Sequence, residues 1–560
     1  MSQSPLSKDI QDEILKVLNQ KAIDHPDLPV KSQGGRPSIC WHTTQHFAKK
    51  GLSINTVKHR LKRTETLRGS EYYAACHGKY TPTEGDPIST VRSGIRRYLL
   101  TAAQNDTPVH ETFWTNLIAF AKHIGAEISV GGFAYQLGVF TDHTTRNQVF
   151  AEPLRPFMAH LQTDLGGVIW CAEVNTLPTA VRPLSGLDTY TRGRYGVFPH
   201  AKIQLVSVPA VEQGKTALLC TTGACTVPNY IDKKAGLKAR FHHQIGATLV
   251  EIDSEGRKFM YQISAQEEDG SFQHLTMKVK GGRVTDGHRV EAITWGDIHR
   301  EKIDPLVAKT CWGVDVHTDE QVASNSMLDI LRPRHQFYHD LLDFTYRNHH
   351  RRNDHAFMFK MVADGTDCVE DALKSCSHFL RLTSREWCQS VVVPSNHNDA
   401  YPRWLREVDC REDPVNARFW MESNLALYKA IERKEAGFDV LRWAMGRYDH
   451  RNLEDVIFLP RNGSYLICQV HGGIENVLHG DKGANGARGS ALNLTKVGRR
   501  LNTGHTHSAA ILDGVYVAGL CGLLDQGYNE GPSSWSHTQI ITYPNAKRSL
   551  VTLQDGRWRA

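Results

Sequence analysis

Clusters of Asp, Asn and His recur through the second half of this 560-residue chain: Gly296-Asp297-Ile298-His299, His339-Asp340-Leu341-Leu342-Asp343, Ser395-Asn396-His397-Asn398-Asp399, His479-Gly480-Asp481 and Gly504-His505-Thr506-His507. These hard and borderline ligands follow apolar runs, as a site for two divalent metal ions working on a phosphoester requires. Asp297 and His299 can both face one ion if the turn opens the strand. Asp340 can bridge two ions with one carboxylate. Asn396 offers a neutral amide oxygen, which limits the negative charge and leaves the metals electrophilic. His479, His505 and His507 supply imidazoles, the last two able to serve different ions. The adjacent His397 need not ligate; beside a phosphate it can protonate a leaving oxygen or stabilise developing charge.

The elements that must position these groups are legible from periodicity. Val290 to Trp295, His355 to Met361, Ser390 to Val393, Tyr465 to Val470 and Gly514 to Gly519 read as strands, alternating with helices over Cys368 to Leu382 and Phe419 to Arg433. Ligand-type residues sit mainly past strand ends, where α/β sheets assemble their sites. Residues 106–288 form a mixed α/β region. There His110 to His123 reads as a helix and Gly167 to Val174, Ala201 to Val208, Ala217 to Cys220 and Ala247 to Ile252 as strands. It carries neither a dinucleotide fingerprint nor a phosphate loop. Arg182, Arg192, Arg194, Lys202 and Lys215 either line a substrate path or are scattered surface bases.

Residues 1–105 form a basic helical module. Asp9 to Lys21 is amphipathic, and two further helices, Thr43 to Lys50 and Ser53 to Arg63, flank Gly51 in a helix-turn-helix-like unit. Lys58, Arg60, Lys62 and Arg63 on its second helix are candidate nucleic-acid contacts; a plain helical packing module is the alternative. Residues 1 to 100 hold 16 Lys/Arg against 9 Asp/Glu, so the net charge of +6 is concentrated there. Such an excess draws a polyanion. The N-terminus lacks an apolar secretory core and no run is long enough to cross a bilayer, so a soluble intracellular protein without membrane partners is expected. The 12 Cys form no Cys-x-x-Cys pair, Cys220 and Cys225 being the closest spacing of interest, and are expected to be reduced and mostly buried.

The order Gly-Asp-x-His, Asp-x-x-Asp, Asn-His, His-Gly, Gly-His-x-His over residues 290–545 resembles the calcineurin-like metallophosphoesterase superfamily. The resemblance implies an α/β fold. Its C-terminal domain (289–560) would be a double β-sheet core flanked by helices, preceded by the α/β central domain and the helical N-terminal module. It also implies two metals, most often manganese in the nucleases: Asp297, His299, Asp340 and His507 would hold one, and Asp340, Asn396, His479 and His505 the other. His339 replaces the usual Gly before the bridging Asp, and Ser395 replaces the Gly before Asn396. Asp343 and Asp329 are the alternatives to Asp340, and His471 competes with His479, since it also precedes Gly after an apolar run.

Size and C-terminal loop texture resemble the large early-expressed phage nucleases that degrade host DNA, which implies DNA as partner, the host cytoplasm as setting, and assembly as a homo-oligomer. Asp340 and His397 would be the catalytic pair. Lys482 and Arg488 in the Gly-rich loop 480–489, with Arg499 and Arg500, are candidates to grip neighbouring phosphates, and Tyr528, Trp535 and His537 to stack on or position a base. The basic cluster Arg347 to His355 reads as a nucleic-acid-facing loop or a solvated helix end. A phosphatase or small-molecule phosphodiesterase, and a DNA-binding regulator with an inactive phosphoesterase domain, are the competing functions.

Overall fold

The computed structural model describes residues 8–24, 39–50, 94–135 and 150–559. At the N-terminus, helix Lys8–Asp24 packs on helix Ile39–Ala48, which starts earlier than periodicity suggested. Ile14, Leu18 and Phe47 are buried between them, and Lys50 Nζ reaches Glu13 Oε1 at 2.8 Å on the rim. The expected helix Ser53 to Arg63, with Lys58, Arg60, Lys62 and Arg63, lies outside the described residues.

Three main sheets organise the rest in a mixed α/β fold. A five-stranded sheet runs in the order Lys258–Ser264, Gly246–Ile252, Arg96–Gln104, Glu127–Phe133, Met158–Ala159. Helix Glu111–Ile124 covers it with Phe113, Leu117 and Phe120, and His110 caps the helix by accepting from the Phe113 amide at 3.3 Å.

The second sheet has six strands. Its parallel core is Ala292–Thr294, His335–Tyr338, Gln389–Val392 and Val456–Phe458, in that lateral order. The antiparallel pair Thr538–Thr542 and Arg548–Thr552 extends it beyond Ala292–Thr294. Behind this sheet, Trp312 of helix Pro305–Trp312 packs on Trp295, with ring centroids 4.5 Å apart, and on Phe379 of helix Val369–Thr383 at 5.2 Å. Each such buried aromatic contributes on the order of 2–3 kcal/mol, and together they fix the strand ends that carry the ligand-type residues.

The third sheet has ten strands and crosses the 288/289 boundary. Strand Leu205–Val208 pairs with Ala510–Leu512 through Leu205 and Ile511, which joins the strands of 162–221 to those of 466–517. The central segment therefore completes a sheet that also presents His479, His505 and His507.

One element differs in type from its expectation. His355 to Met361, read as a strand, is part of helix His355–Ala363. Asp354 caps it, accepting from the Phe357 amide at 3.0 Å, and a satisfied N-cap settles a short apolar run whose periodicity is ambiguous. The run Tyr465 to Val470 contains only a two-residue strand, Leu466–Ile467, followed by a single helical turn. Cys220 and Cys225 are buried and unbridged. Among the described residues no helix is long and apolar enough to cross a membrane.

Candidate metal centre

The four parallel strands of the six-stranded sheet end on one edge, and three of them deliver ligand-type residues there. Asp297 and His299 follow Ala292–Thr294, His339 and Asp340 follow His335–Tyr338, and Asn396 and His397 follow Gln389–Val392. The ten-stranded sheet supplies the rest, His479 after Ile474–Glu475 and His505 and His507 after Leu501–Thr503.

Backbone pairing continues past the strands to hold these tips. The amides of Ile298 and His299 donate to the carbonyls of His339 and Asp340 at 2.9 and 2.7 Å. His299, Asp340, His505 and His507 all adopt left-handed backbone (φ 46, 42, 76 and 57°). Such residues cost about 1–3 kcal/mol each and persist where the surroundings over-determine them, as at functional sites. Gly504 is required by close approach, because a Cβ there would lie 2.2 Å from Asp297 Oδ1.

Asp297, His299, Asp340 and His507 converge as one buried group. His507 Nε2 lies 3.0 Å from Asp297 Oδ2 and 3.2 Å from His299 Nε2, which is 3.7 Å from Asp340 Oδ2. A second buried group joins Asp297, His339 and His479. In it His479 Nδ1 stands 3.2 Å from His339 Nδ1 and 3.8 Å from Asp297 Oδ1. Asp340 Oδ2 links the two groups, being 3.2 Å from His479 Nε2.

These residues fit divalent metal. Ligand atoms at about 2.0–2.2 Å from one ion stand roughly 3–3.5 Å apart, close to the spacings here. Imidazole nitrogens face each other in two pairs, His299 with His507 and His339 with His479, both at 3.2 Å, and Asp297 Oδ1 is buried without a hydrogen-bond partner. A cation satisfies all of these at once.

Electrostatics are consistent with that charge. Burial alone would raise the Asp297 carboxyl, but the neighbouring His479 and a hydrogen bond from His507 outweigh it and hold the group at about 2. Asp340 is likewise held well below the ordinary range, burial being outweighed chiefly by His479 and His397. Burial pushes His507 and His505 down, and His339 down to about 4, leaving neutral imidazoles fit to ligate. His397 goes the other way: burial lowers it, but the Asp340 and Asp343 carboxylates raise it to about 10. Its Nδ1 is 2.8 Å from the Asp343 carbonyl oxygen, which leaves Nε2 for a ligand.

A cleft of about 1560 Å³ opens over this cluster, and Asp340, Asn396, His397, His505 and His507 lie along it. Asn396 is exposed to the cleft, and the His505 ring stands 5.1 Å from that of His479. Lys482 and Arg488 line the same cleft, bridged backbone to backbone at the neck of the Gly-rich loop. Arg499 and Arg500 turn elsewhere, Arg499 towards Glu475 and Arg500 to the His471 carbonyl oxygen. His349, His350 and Arg351 of the basic cluster lie along the cleft, whereas Arg347 is buried against Asp413 at 2.6 Å. Tyr528 and Trp535 border the cleft; His537 is turned to the Gly522 carbonyl oxygen at 3.1 Å. Among the central-segment bases, Lys202 is buried in an ion pair with Asp513 and Arg194 pairs with Asp164, so neither serves the cleft.

Of the alternatives left open by the sequence, His479 is in the cluster and His471 is exposed on a helical turn. Asp329 pairs with Arg385 at 3.0 Å, away from the cluster. Asp343 is buried within the site but beside His299 and His397, in a third group of its own. Sequence reasoning missed the part played by His339, whose only signal was adjacency to Asp340, and by Lys302, whose Nζ lies 3.2 Å from Asp343 Oδ2.

No protein-family model matches the chain, and no solved structure matches it. Over 475 residues it is 38% identical to Protein A1 of Escherichia phage T5, an alignment covering 83% of each chain. At that identity and coverage, the chain belongs to the family of the phage T5 Protein A1.

Proposed function

We propose that the chain is a metal-dependent phosphodiesterase of calcineurin-like design that cleaves DNA, in the setting of a phage-infected cell. The observation that carries this reading is the linked pair of buried carboxylate and imidazole groups sharing Asp340, at the floor of a cleft whose walls carry cations. Lys360, Arg406, Lys482 and Arg488 line that cleft without an ion pair among the described residues, which suits a polyanion with charge beyond the scissile phosphate.

Two ions, for which Mn2+ is our choice, would be held by Asp297, His299, Asp340 and His507 and by Asp340, His479, His505 and Asn396, with His339 against His479. When bound they supply Lewis-acid stabilisation of a phosphoryl oxygen and activation of water. The chain's own residues do the rest. His397, protonated and held at Nδ1 by Asp343, presents Nε2 to donate a proton to the departing oxygen. The wall cations orient the polymer, and the buried floor excludes bulk water. Phage relatedness is consistent with action in the host cytoplasm.

The test is Mn2+-dependent cleavage of linear and circular DNA beside p-nitrophenyl phosphate mono- and diesters. Cleavage of DNA, lost in Asp340→Asn together with metal occupancy and lost in His397→Ala with the metal retained, is the expected result. Brisk monoester turnover with intact DNA would replace the nuclease by a phosphatase. DNA binding without turnover of any ester would leave a regulator.

A further inference from the structure

Within the cation-lined cleft, one wall is aromatic. Trp535 packs edge-on against the ligand-type His507, with ring centroids 4.3 Å apart and planes at 79°. Tyr528 stands 5.9 Å from Trp535 at 67° and is 47% exposed, so its ring is open to the cleft it lines. Lys302 Nζ sits 5.7 Å from the Tyr528 ring centroid. The loop is braced from both sides: Lys302 Nζ donates to the Gln526 carbonyl oxygen at 3.3 Å, and the Arg351 guanidinium to that of Gly527 at 2.8 Å. The ring is therefore held at the cleft by two cations.

A flat apolar face with a cation beside it and the reacting centre one ring away is what stacks a nucleobase. Tyr528 and Trp535 line the same cleft as His507 and Asp340, so a base next to a phosphate held at the centre lies on the side of these rings, as bases do on the aromatic platforms of single-strand binding grooves. In a duplex the bases are stacked on one another and their faces are closed, unless the nucleotide is turned out of the helix.

We propose that Tyr528, backed by Trp535, is a stacking subsite for the nucleobase beside the scissile phosphate, so that the substrate form engaged at the centre is an unpaired polynucleotide. The inference rests on the nuclease reading above. The subsite reads no sequence, because every base has a face; it selects strand state.

The experiment measures binding by fluorescence anisotropy in EDTA, with full-length protein and a labelled single strand, the same sequence as a blunt duplex, and the single strand with one abasic position. Cleavage of the same three with Mn2+ runs in parallel. The expected result is tighter binding of the single strand than of the duplex. Tyr528→Ala should weaken single-strand binding about tenfold, with Tyr528→Phe close to wild type because the ring face is kept. Moving an abasic position along the strand should find one place where Tyr528→Ala no longer matters. Because Tyr528 is half exposed, neither variant opens the core, and an unchanged melting temperature confirms that both are folded.

Equal loss of single-strand and duplex affinity in Tyr528→Ala, no loss in either, or failure of Tyr528→Phe to restore binding overturns the subsite. If cleavage of all DNA forms persists in such a case, the nuclease reading stands without it. If wild-type protein turns over monoesters but neither binds nor cleaves any of the three DNAs, the nuclease reading itself fails and takes the subsite with it.

Discussion

Asp343 Oδ1 lies 2.7 Å from Nδ1 of His299, on the far side of the imidazole from the nitrogen that faces His507 and Asp340. That contact sets the tautomer: with Nδ1 donating to the carboxylate, Nε2 keeps its lone pair for a metal ion. The same Oδ1 is 3.3 Å from His397 Nδ1, so one carboxylate contacts both imidazoles. Outer carboxylates of this kind raise ligand basicity and lock ring orientation.

Asp343→Asn should therefore weaken metal binding by about 10- to 100-fold without removing any ligand, and lower turnover further through His397. Isothermal titration with Mn2+ beside steady-state kinetics checks both. Wild-type metal affinity in the variant would show that the His299 tautomer is set by something else.

Gly504→Ala should act on the same centre by sterics alone. The added methyl would meet Asp297 Oδ1 at 2.2 Å, and the His339 ring at 3.3 Å. Either the Gly504 loop or the carboxylate must move, displacing His505, whose amide donates to Asp297 Oδ2 at 2.8 Å. We expect folded protein with metal affinity and activity down at least tenfold, and normal activity would show that the loop yields freely.

Adding metal should stabilise the fold. Asp297 and Asp340 are buried in one group, and a bound cation removes their mutual repulsion. At an ion concentration of 100 times Kd the gain is about 2.7 kcal/mol per site by mass action. Differential scanning calorimetry with and without Mn2+, then after EDTA, should show the melting temperature rise and fall reversibly. A melting temperature indifferent to Mn2+, Zn2+ and EDTA would argue against a metal centre.

Acid should destabilise the protein through histidines remote from that centre. Burial pushes His200 and His243 down to about 4, and His274 to about 3, so all three are neutral when folded. Unfolded, they titrate near 6.5, so the unfolded chain binds the extra protons. Their contribution is complete above about pH 6.5 and is lost as pH falls towards 4, at about 1.4 kcal/mol per pH unit for each proton. Urea unfolding midpoints at pH 7.5, 6 and 5 should fall steadily, and His274→Phe should flatten the slope by about one proton. Equal midpoints across that range would contradict the assignment.

The convergence of the Asp and His clusters was legible because each stands just past a short strand, and strand tips are where backbone is free to turn side chains into a crevice. Asp297, His299, Asp340 and His507 converge in one group, whereas His479 groups with Asp297 and His339 rather than with His505; the buried strands Gln389–Val392 and Val515–Val517 read directly from apolar runs. Strand His335–Tyr338 was not readable. Its run His-Gln-Phe-Tyr has no apolar repeat, and it is a strand because Gln336 is buried between two neighbours, bonding to Trp295, Ser390 and the Thr383 carbonyl oxygen.

What the sequence alone determined is the set of ligand types and their order along the chain, since these depend on composition and local periodicity. The tertiary structure decided which histidine before a glycine enters the site. His479 and His471 have the same local pattern, but only His479 is placed beside Asp297 and Asp340 by sheet pairing far along the chain. It also placed Asp343 beside His299 and His397, and strands from the central segment in the sheet holding His505 and His507. Those outcomes rest on contacts between residues far apart in sequence, which no local pattern encodes.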